Sequence, residues 1–292
     1  MDVRTRLCFE ISRRLIARRP PAVRTVDYGA YDRWRQESLA RSWEGFSDTL
    51  VAGKDVLDFG CGDGQLSYFL EGKGPNTITG VDIDAEAIAR AQHNNTTGRA
   101  RFVVGSTDGL PFDDESFDTI VAFDCMEHVM DALAIMREWR RVLRPGGHAV
   151  LEWFPFKGPW GPHMESLIPI PWAHVIFGER AMFGAAAAIY DLPEFVPRHW
   201  DLDESGRKKP NKWKQWLSFR EQGYVNELDI AGLRKLASAA GLSIARFEKR
   251  SFGGSGLRRG IGSALMGLPW IGEYFLMYTR IELVRPVAGT RH

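Results

Sequence analysis

The sequence has few cysteines, no long apolar run and almost no net charge, and each scarcity removes a class of function. Its three cysteines, Cys8, Cys61 and Cys125, are odd in number and far apart. They do not read as a disulfide framework or a zinc cluster, and they suit a reducing, cytoplasmic setting. No stretch reaches the ~18 apolar residues that a spanning helix needs. Basic and acidic residues nearly cancel, 38 against 37, for a formal net charge of +1. That leaves no global pull toward nucleic acid. At the amino terminus Glu10, Arg13 and Arg14 interrupt any apolar core of a secretory signal. Internal repeats are also missing. What is present is a hydrophobic content of 44% with 26% charged residues over 292 positions. Those figures suit one large, water-compatible α/β domain with an insertion.

Residues 1–19 place Val3, Leu7, Ile11 and Leu15 four apart among six arginines, which predicts a basic amphipathic helix. Such a helix packs on its own domain or lies on an anionic membrane surface. Pro20 and Pro21 end it. A second helix is expected from Tyr31 to Phe46. Strands are expected at Asp55–Phe59, Thr77–Val81, Arg101–Val104, Thr119–Phe123 and His148–Phe154, with helices at Gln65–Gly72, Ala85–Asn94 and before Leu143. Arg144-Pro145-Gly146-Gly147 reads as a stop and turn. This alternation argues for a parallel sheet with helices on both faces. From Phe154 to about residue 225 the alternation stops and proline and tryptophan become frequent, so an insertion is expected there. A helix at Asp229–Ala240 and strands at Leu242–Lys249 and Thr279–Val284 complete the pattern.

The first strand enters the loop Val56-Leu57-Asp58-Phe59-Gly60-Cys61-Gly62-Asp63-Gly64. Glycines there let the chain turn sharply and let backbone approach a ligand, at a helix start with free N–H groups. Asp82 closes the second strand, where a carboxylate accepts hydrogen bonds from a ribose diol. Nicotinamide enzymes share that geometry, but their spacing is Gly-x-Gly-x-x-Gly. Here it is Gly-x-Gly-x-Gly with Asp58 at the strand tip. That carboxylate repels a pyrophosphate and suits a ligand carrying an ammonium and a sulfonium.

Five segments in order, residues 56–64, 80–84, 105–118, 124–129 and 143–147, resemble the class I S-adenosylmethionine-dependent methyltransferases of the type 11 (ubiquinone/menaquinone-type) branch. The resemblance implies a Rossmann-like, mostly parallel sheet with an antiparallel last strand and an inserted lid. It implies S-adenosylmethionine as cofactor and a small-molecule acceptor, in secondary metabolism or in cell-surface or quinone-like chemistry. Gly60, Cys61, Gly62 and Gly64 would form the floor under the methionine part, with Asp58 facing its ammonium. Asp82 would hold the ribose and Ile83 the adenine face. Ser106 stands where the family often has Asp, so Ser106, Thr107 and Asp108 share the adenine amino group. Phe123 and Asp124 would lie beside the methionine part, and Tyr31 would close over the cofactor from an amino-terminal helix. Regions 1–48, 49–154, 155–225 and 226–292 would then be covering helices, cofactor core, acceptor lid and the remainder of the sheet.

Methyl transfer from a sulfonium is an in-line displacement, so the protein mainly aligns the nucleophile and excludes water. A general base is needed only where the acceptor must lose a proton. His128 is the nearest candidate base and equally a pocket-lining residue. His163 and His174 in the insertion are further candidates. Their spacing does not make a metal site, and none is assigned. His199 and five tryptophans of the insertion fit either an apolar acceptor or a small satellite core. Three other readings stay open: a nicotinamide-binding oxidoreductase, a nucleic-acid or protein methyltransferase, and a non-catalytic cofactor-binding scaffold. Residues 257–277, apolar and glycine-rich, are a candidate for peripheral membrane contact.

Overall fold

Alternating strands and helices from residue 55 onward assemble into one seven-stranded sheet. The structure is a computed structural model and describes residues 1–18, 28–198, 201–203, 205–252 and 256–287. Helices are α1 (Val3–Ile16), α2 (Tyr28–Trp43), α3 (Gln65–Glu71), α4 (Ala85–Asn94), α5 (Ala132–Val142), α6 (Ala173–Ile176), α7 (Glu179–Tyr190), α8 (Phe219–Gln222), α9 (Ile230–Ala239) and α10 (Gly256–Met266). Strands are β1 (Asp55–Phe59), β2 (Thr77–Asp82), β3 (Ala100–Val104), β4 (Phe117–Phe123), β5 (Leu143–Trp153), β6 (Ser243–Ser251) and β7 (Leu276–Val284). Their order is β3-β2-β1-β4-β5-β7-β6. The pairs among β1 to β5 are parallel, and β7 runs antiparallel to β5. The chain divides into two compact units. The first is Met1–Trp34, Pro155–Glu227 and Ser251–Met277; the second is Arg35–Phe154, Leu228–Arg250 and Tyr278–His292.

The second unit holds the sheet. Both faces of its central strands are covered, which is why they read as continuous apolar runs. On one face Ile120, Ala122, Ala149 and Leu151 pack with Met136 and Trp139 of α5 and Leu233 and Ala237 of α9. On the other, Val56, Val121 and Val150 pack with Leu39 and Trp43 of α2, Leu66 and Leu70 of α3, and Ile88 of α4. One local expectation fails. Arg144–Gly147 is not a turn between elements but an irregularity inside β5, where the register jumps from Phe117↔Leu143 to Thr119↔His148. Gly146 takes a positive φ of 81°. A Cβ on Gly147 would sit 2.9 Å from the Asp118 carbonyl oxygen. The two glycines let the extra length bulge out without ending the strand.

In the first unit α1 packs on α7, and only part of the expected stripe turns inward: Ile11 packs against the buried core. Val3 is 84% exposed and Leu7 53%, while Thr5, Cys8 and Ser12 are buried. A Cβ on Gly184 of α7 would meet the Thr5 methyl at 2.9 Å. Small side chains on both helices allow a close approach that Val3 and Leu7 would prevent. The insertion contains α7, which includes Ala185–Ala188. Its aromatic residues form their own core: Phe156 packs on Phe219, Phe219 on Phe183, and Phe183 on Trp213 and Trp216. The satellite-core reading therefore holds for these rings.

His174 belongs to this core, its ring 5.1 Å from that of Phe156. Neither ring nitrogen has a hydrogen-bond partner. Burial pushes its pKa down to about 4, so it stays neutral near pH 7 and makes a poor general base. Orphaned buried polar groups each cost about 1–3 kcal/mol. His174→Phe should therefore raise the midpoint of urea unfolding at pH 7. A lower midpoint would mean that the imidazole has a stabilising role these contacts do not reveal.

Candidate active site

The second unit gathers its functional side chains at the carboxyl ends of β1, β2 and β4. Gly60, Gly62 and Gly64 carry φ values of +73°, +50° and +83°, so the backbone turns out of β1 through conformations that side chains disfavour. A Cβ on Gly60 would collide with the Cys125 sulfur. At Gly62 a Cβ would meet nothing within 4 Å, which leaves bare backbone facing open space for a ligand. Asp82 fastens this loop. Its Oδ2 accepts the Gly62 N–H at 2.8 Å and its Oδ1 the Asp84 N–H at 2.9 Å. Capping of α4 falls to Asp84, which accepts from Glu86 and Ala87 N–H. That division leaves the remaining lone pairs of Asp82 for a ligand. Beside it Ile83 is 65% exposed, an apolar side chain available to cover a planar ring. The Gly105 N–H donates to the Asp82 carbonyl at 2.8 Å. This ties down the exposed turn of Ser106, Thr107 and Asp108, in which Ser106 Oγ accepts from the Asp108 N–H.

Asp58 lies beneath the loop, only 1% exposed. Its Oδ2 accepts the Ser67 hydroxyl at 2.7 Å, and its Oδ1 has no partner. Burial pushes this carboxyl up to about 7, against the lowering pull of Ser67 and the Arg35 guanidinium. An orphaned buried carboxylate oxygen fits the ammonium of an amino-acid ligand. The folded chain holds the Asp58 proton more tightly than the unfolded chain does. Its contribution to stability is therefore fullest below the ordinary carboxylate pKa and is lost as pH rises toward about 7. Binding of a cation runs the other way, because it needs the ionised form. Affinity for S-adenosylhomocysteine, which keeps the ammonium, should fall as pH drops below about 7, by up to roughly tenfold per unit. Asp58→Asn should flatten that profile. Calorimetry at several pH values checks it, and a wild-type profile flat from pH 8 to 5.5 would remove Asp58 from this role.

Asp124 ends β4 at a φ of +53°, and its carboxylate meets Arg35 of α2 at 2.6 Å. Strain of this kind in a non-glycine residue concentrates at functional sites. Phe123 departs from expectation. Its ring is 4% exposed and packs between Trp43 and Phe46. The β4 alternation turns it into the layer under α2, so it offers only backbone to the site. Burial pushes the thiols of Cys61 and Cys125 well above their usual range, which suits packing rather than nucleophilic attack. His128 closes a 3-10 turn, Met126–His128, just beyond Asp124, with its N–H on the Cys125 carbonyl at 2.8 Å.

His163 and His174 belong to the first unit. His163 takes a φ of +54°. Tyr31 lies on α2 with its side chain outside the described residues, and His199 lies outside them entirely. Sequence reasoning missed Arg35, Ser67 and a buried network in which Glu152 accepts from Ser42 at 2.6 Å and from Arg280 Nε at 3.3 Å. No local motif marks any of them. A separate cleft of about 450 Å³ opens at the amino end of β4, lined by Asp118, Arg144, His148 and Glu282 among others. Within it Arg144 pairs with Asp118 at 2.9 Å, and His148 Nδ1 lies 2.8 Å from a Glu282 carboxylate oxygen.

Residues 57–151 match the family described as "Methyltransferase domain". The chain is 33% identical over 156 residues to an "uncharacterized methyltransferase" of Mycobacterium sp. (strain JLS), covering 53% of this chain and 58% of that protein. It is 38% identical over 102 residues to the phthiotriol/phenolphthiotriol dimycocerosates methyltransferase of Mycobacterium leprae (strain TN), covering 34% and 37%. The chain thus spans little more than half the length of curated relatives such as the Mycobacterium sp. (strain JLS) protein. A crystal structure of an S-adenosylmethionine-dependent methyltransferase from Mesorhizobium loti superposes with a TM-score of 0.51 at 16% identity, over 85% of this chain and 96% of that one. That likeness speaks to the fold.

Proposed function

We propose that this chain, whose residues 57–151 form a class I methyltransferase domain of the type 11 kind, transfers the methyl group of S-adenosylmethionine to a small-molecule acceptor. The observation that carries this reading is the unpartnered, buried Oδ1 of Asp58 under a glycine loop held by Asp82. A pyrophosphate would meet a carboxylate there, which disfavours the nicotinamide reading. An amino-acid cofactor would meet its counter-charge. Asp58 would hold the ammonium, Asp82 the ribose hydroxyls, and Ile83 with the Ser106–Asp108 turn the adenine. When bound, the cofactor supplies an electrophilic methyl on a cationic sulfur. The protein aligns the acceptor lone pair with the breaking bond, whose electron pair leaves with sulfur. Where the acceptor is a hydroxyl, His128 would take its proton.

The second unit carries 19 basic against 23 acidic residues, which supports a small molecule over a nucleic acid. The likeness to the phthiotriol/phenolphthiotriol dimycocerosates methyltransferase of M. leprae supports an apolar acceptor. Calorimetric titration with S-adenosylmethionine, S-adenosylhomocysteine and NAD tests the cofactor assignment. Micromolar binding of the two sulfur compounds alone is expected. Binding of NAD, or of neither sulfur compound, would refute it.

A further inference from the structure

The loop after α10 exposes large apolar side chains and is built to do so. Trp270 is 96% exposed, and Leu268, Ile271 and Ile261 are each about half exposed. Burying such a tryptophan in an apolar phase is favourable, so leaving it in water forgoes stabilisation. The exposure is not the slack of a loose loop. Trp270 takes a φ of +68°, unfavourable for a bulky residue. The turn is tied on both sides of it: Ile271 N–H donates to Pro269 O at 2.9 Å, Gly272 N–H to Leu268 O at 3.0 Å, and Tyr274 N–H to Ile271 O at 3.1 Å. Gly272 packs so closely that a Cβ would overlap the Met266 carbonyl oxygen. The backbone accepts strain and the indole stays out.

Charge indicates what the loop meets. From Ser251 to Gly272 the chain contains Arg258 and Arg259 and no acidic residue. The first unit as a whole carries 19 Lys and Arg against 14 Asp and Glu, formally +5, while the second is formally −4. A near-neutral chain therefore conceals a basic unit. On α1 of the same unit, Val3 and Leu7 are exposed beside exposed Arg4 and Arg6. Among the described residues no helix is long and apolar enough to cross a membrane, so an apolar and basic surface of this kind suits contact rather than spanning. Tryptophan favours the boundary between headgroups and acyl chains, and Lys and Arg near an anionic bilayer add electrostatic attraction.

We propose that the first unit docks on an anionic lipid surface, with Trp270, Leu268 and Ile271 entering the interface. The proposal does not depend on the methyl-transfer reading, because docking needs neither cofactor nor acceptor. Co-sedimentation of the full chain with phosphatidylcholine vesicles, with and without about 30% phosphatidylglycerol, tests it. The wild type should pellet with the anionic vesicles and much less with the neutral ones, and added salt should release it. Trp270→Ser/Ile271→Ser should weaken binding by roughly tenfold or more, and Arg258→Gln/Arg259→Gln should reduce the preference for anionic lipid. Unchanged circular dichroism and unfolding midpoint would confirm that both variants fold. Failure of the wild type to bind anionic vesicles, or equal binding by the folded Trp270→Ser/Ile271→Ser variant, would overturn the proposal. So would a wild-type dimer in sedimentation velocity that this variant dissociates, since a second copy would then be the occupant.

Discussion

Arg280→Leu is expected to destabilise the fold by about 3–5 kcal/mol, because it leaves a carboxylate buried without its counter-charge. Glu152 and Arg280 are 5% and 3% exposed. Arg280 donates from Nε to Glu152 and from Nη2 to the Arg41 carbonyl at 2.6 Å. Burial and the nearby Asp124 already push the Glu152 carboxyl upward, and Ser42 and Arg280 restrain it. Without Arg280 only the Ser42 hydroxyl remains, and Glu152 must take up a proton or draw water into the core. Arg280→Leu/Glu152→Leu should recover most of the loss, since an apolar pair of similar volume often replaces a buried ion pair at little cost. Urea unfolding at pH 7 measures both variants. A single variant within about 1 kcal/mol of wild type would show that the pair is not a structural element. The site would register the change too, because the Asp124 N–H donates to the Glu152 carbonyl at 3.2 Å.

Asp82→Ala is expected to reduce affinity for S-adenosylhomocysteine by a hundredfold or so. Direct loss of charge-assisted hydrogen bonds to a ribose amounts to about 1.5–3 kcal/mol. The same substitution frees the Gly62 and Asp84 N–H groups that now bind this carboxylate, so the glycine loop loses its anchor as well. Asp82→Asn keeps one carbonyl oxygen and should fall between wild type and alanine. Calorimetry gives the affinities, and the unfolding midpoint separates lost contacts from a lost fold. Unchanged affinity in a folded Asp82→Ala variant would remove the residue from the cofactor site.

Much of this architecture is legible in the chain itself because its signals are local. Apolar runs bounded by glycine or by capping residues mark β1, β2 and β4, and the glycines at 60, 62 and 64 mark the turn out of β1. Asp82 is legible because a strand end eighteen residues past that loop places it opposite the loop in any parallel βαβ unit. Where two local rules compete, the sequence reads less well. Pro145-Gly146-Gly147 has the composition of a turn, yet pairing with β4 and β7 holds it within β5. The stripe of α1 has the period of a buried face, yet Gly184 admits Thr5 and so turns Val3 and Leu7 outward.

The electrostatics of the site were decided by the tertiary structure alone. Arg35 meets Asp124 across 89 residues, Ser42 meets Glu152 across 110, and Arg280 meets Glu152 across 128. No spacing rule joins groups so far apart. They become partners only once the sheet brings β4, β5 and β7 side by side and α2 across them. Whether a carboxylate such as Asp58 is solvated or orphaned depends on what covers it, and burial is a property of the packed chain. The sequence by itself therefore determined the alternation of strands and helices in the amino-terminal half, the glycine loop and the residue types offered to a cofactor. Folding decided which of those residues keep a free lone pair, which disappear into the core as Phe123 does, and which remain in water as Trp270 does.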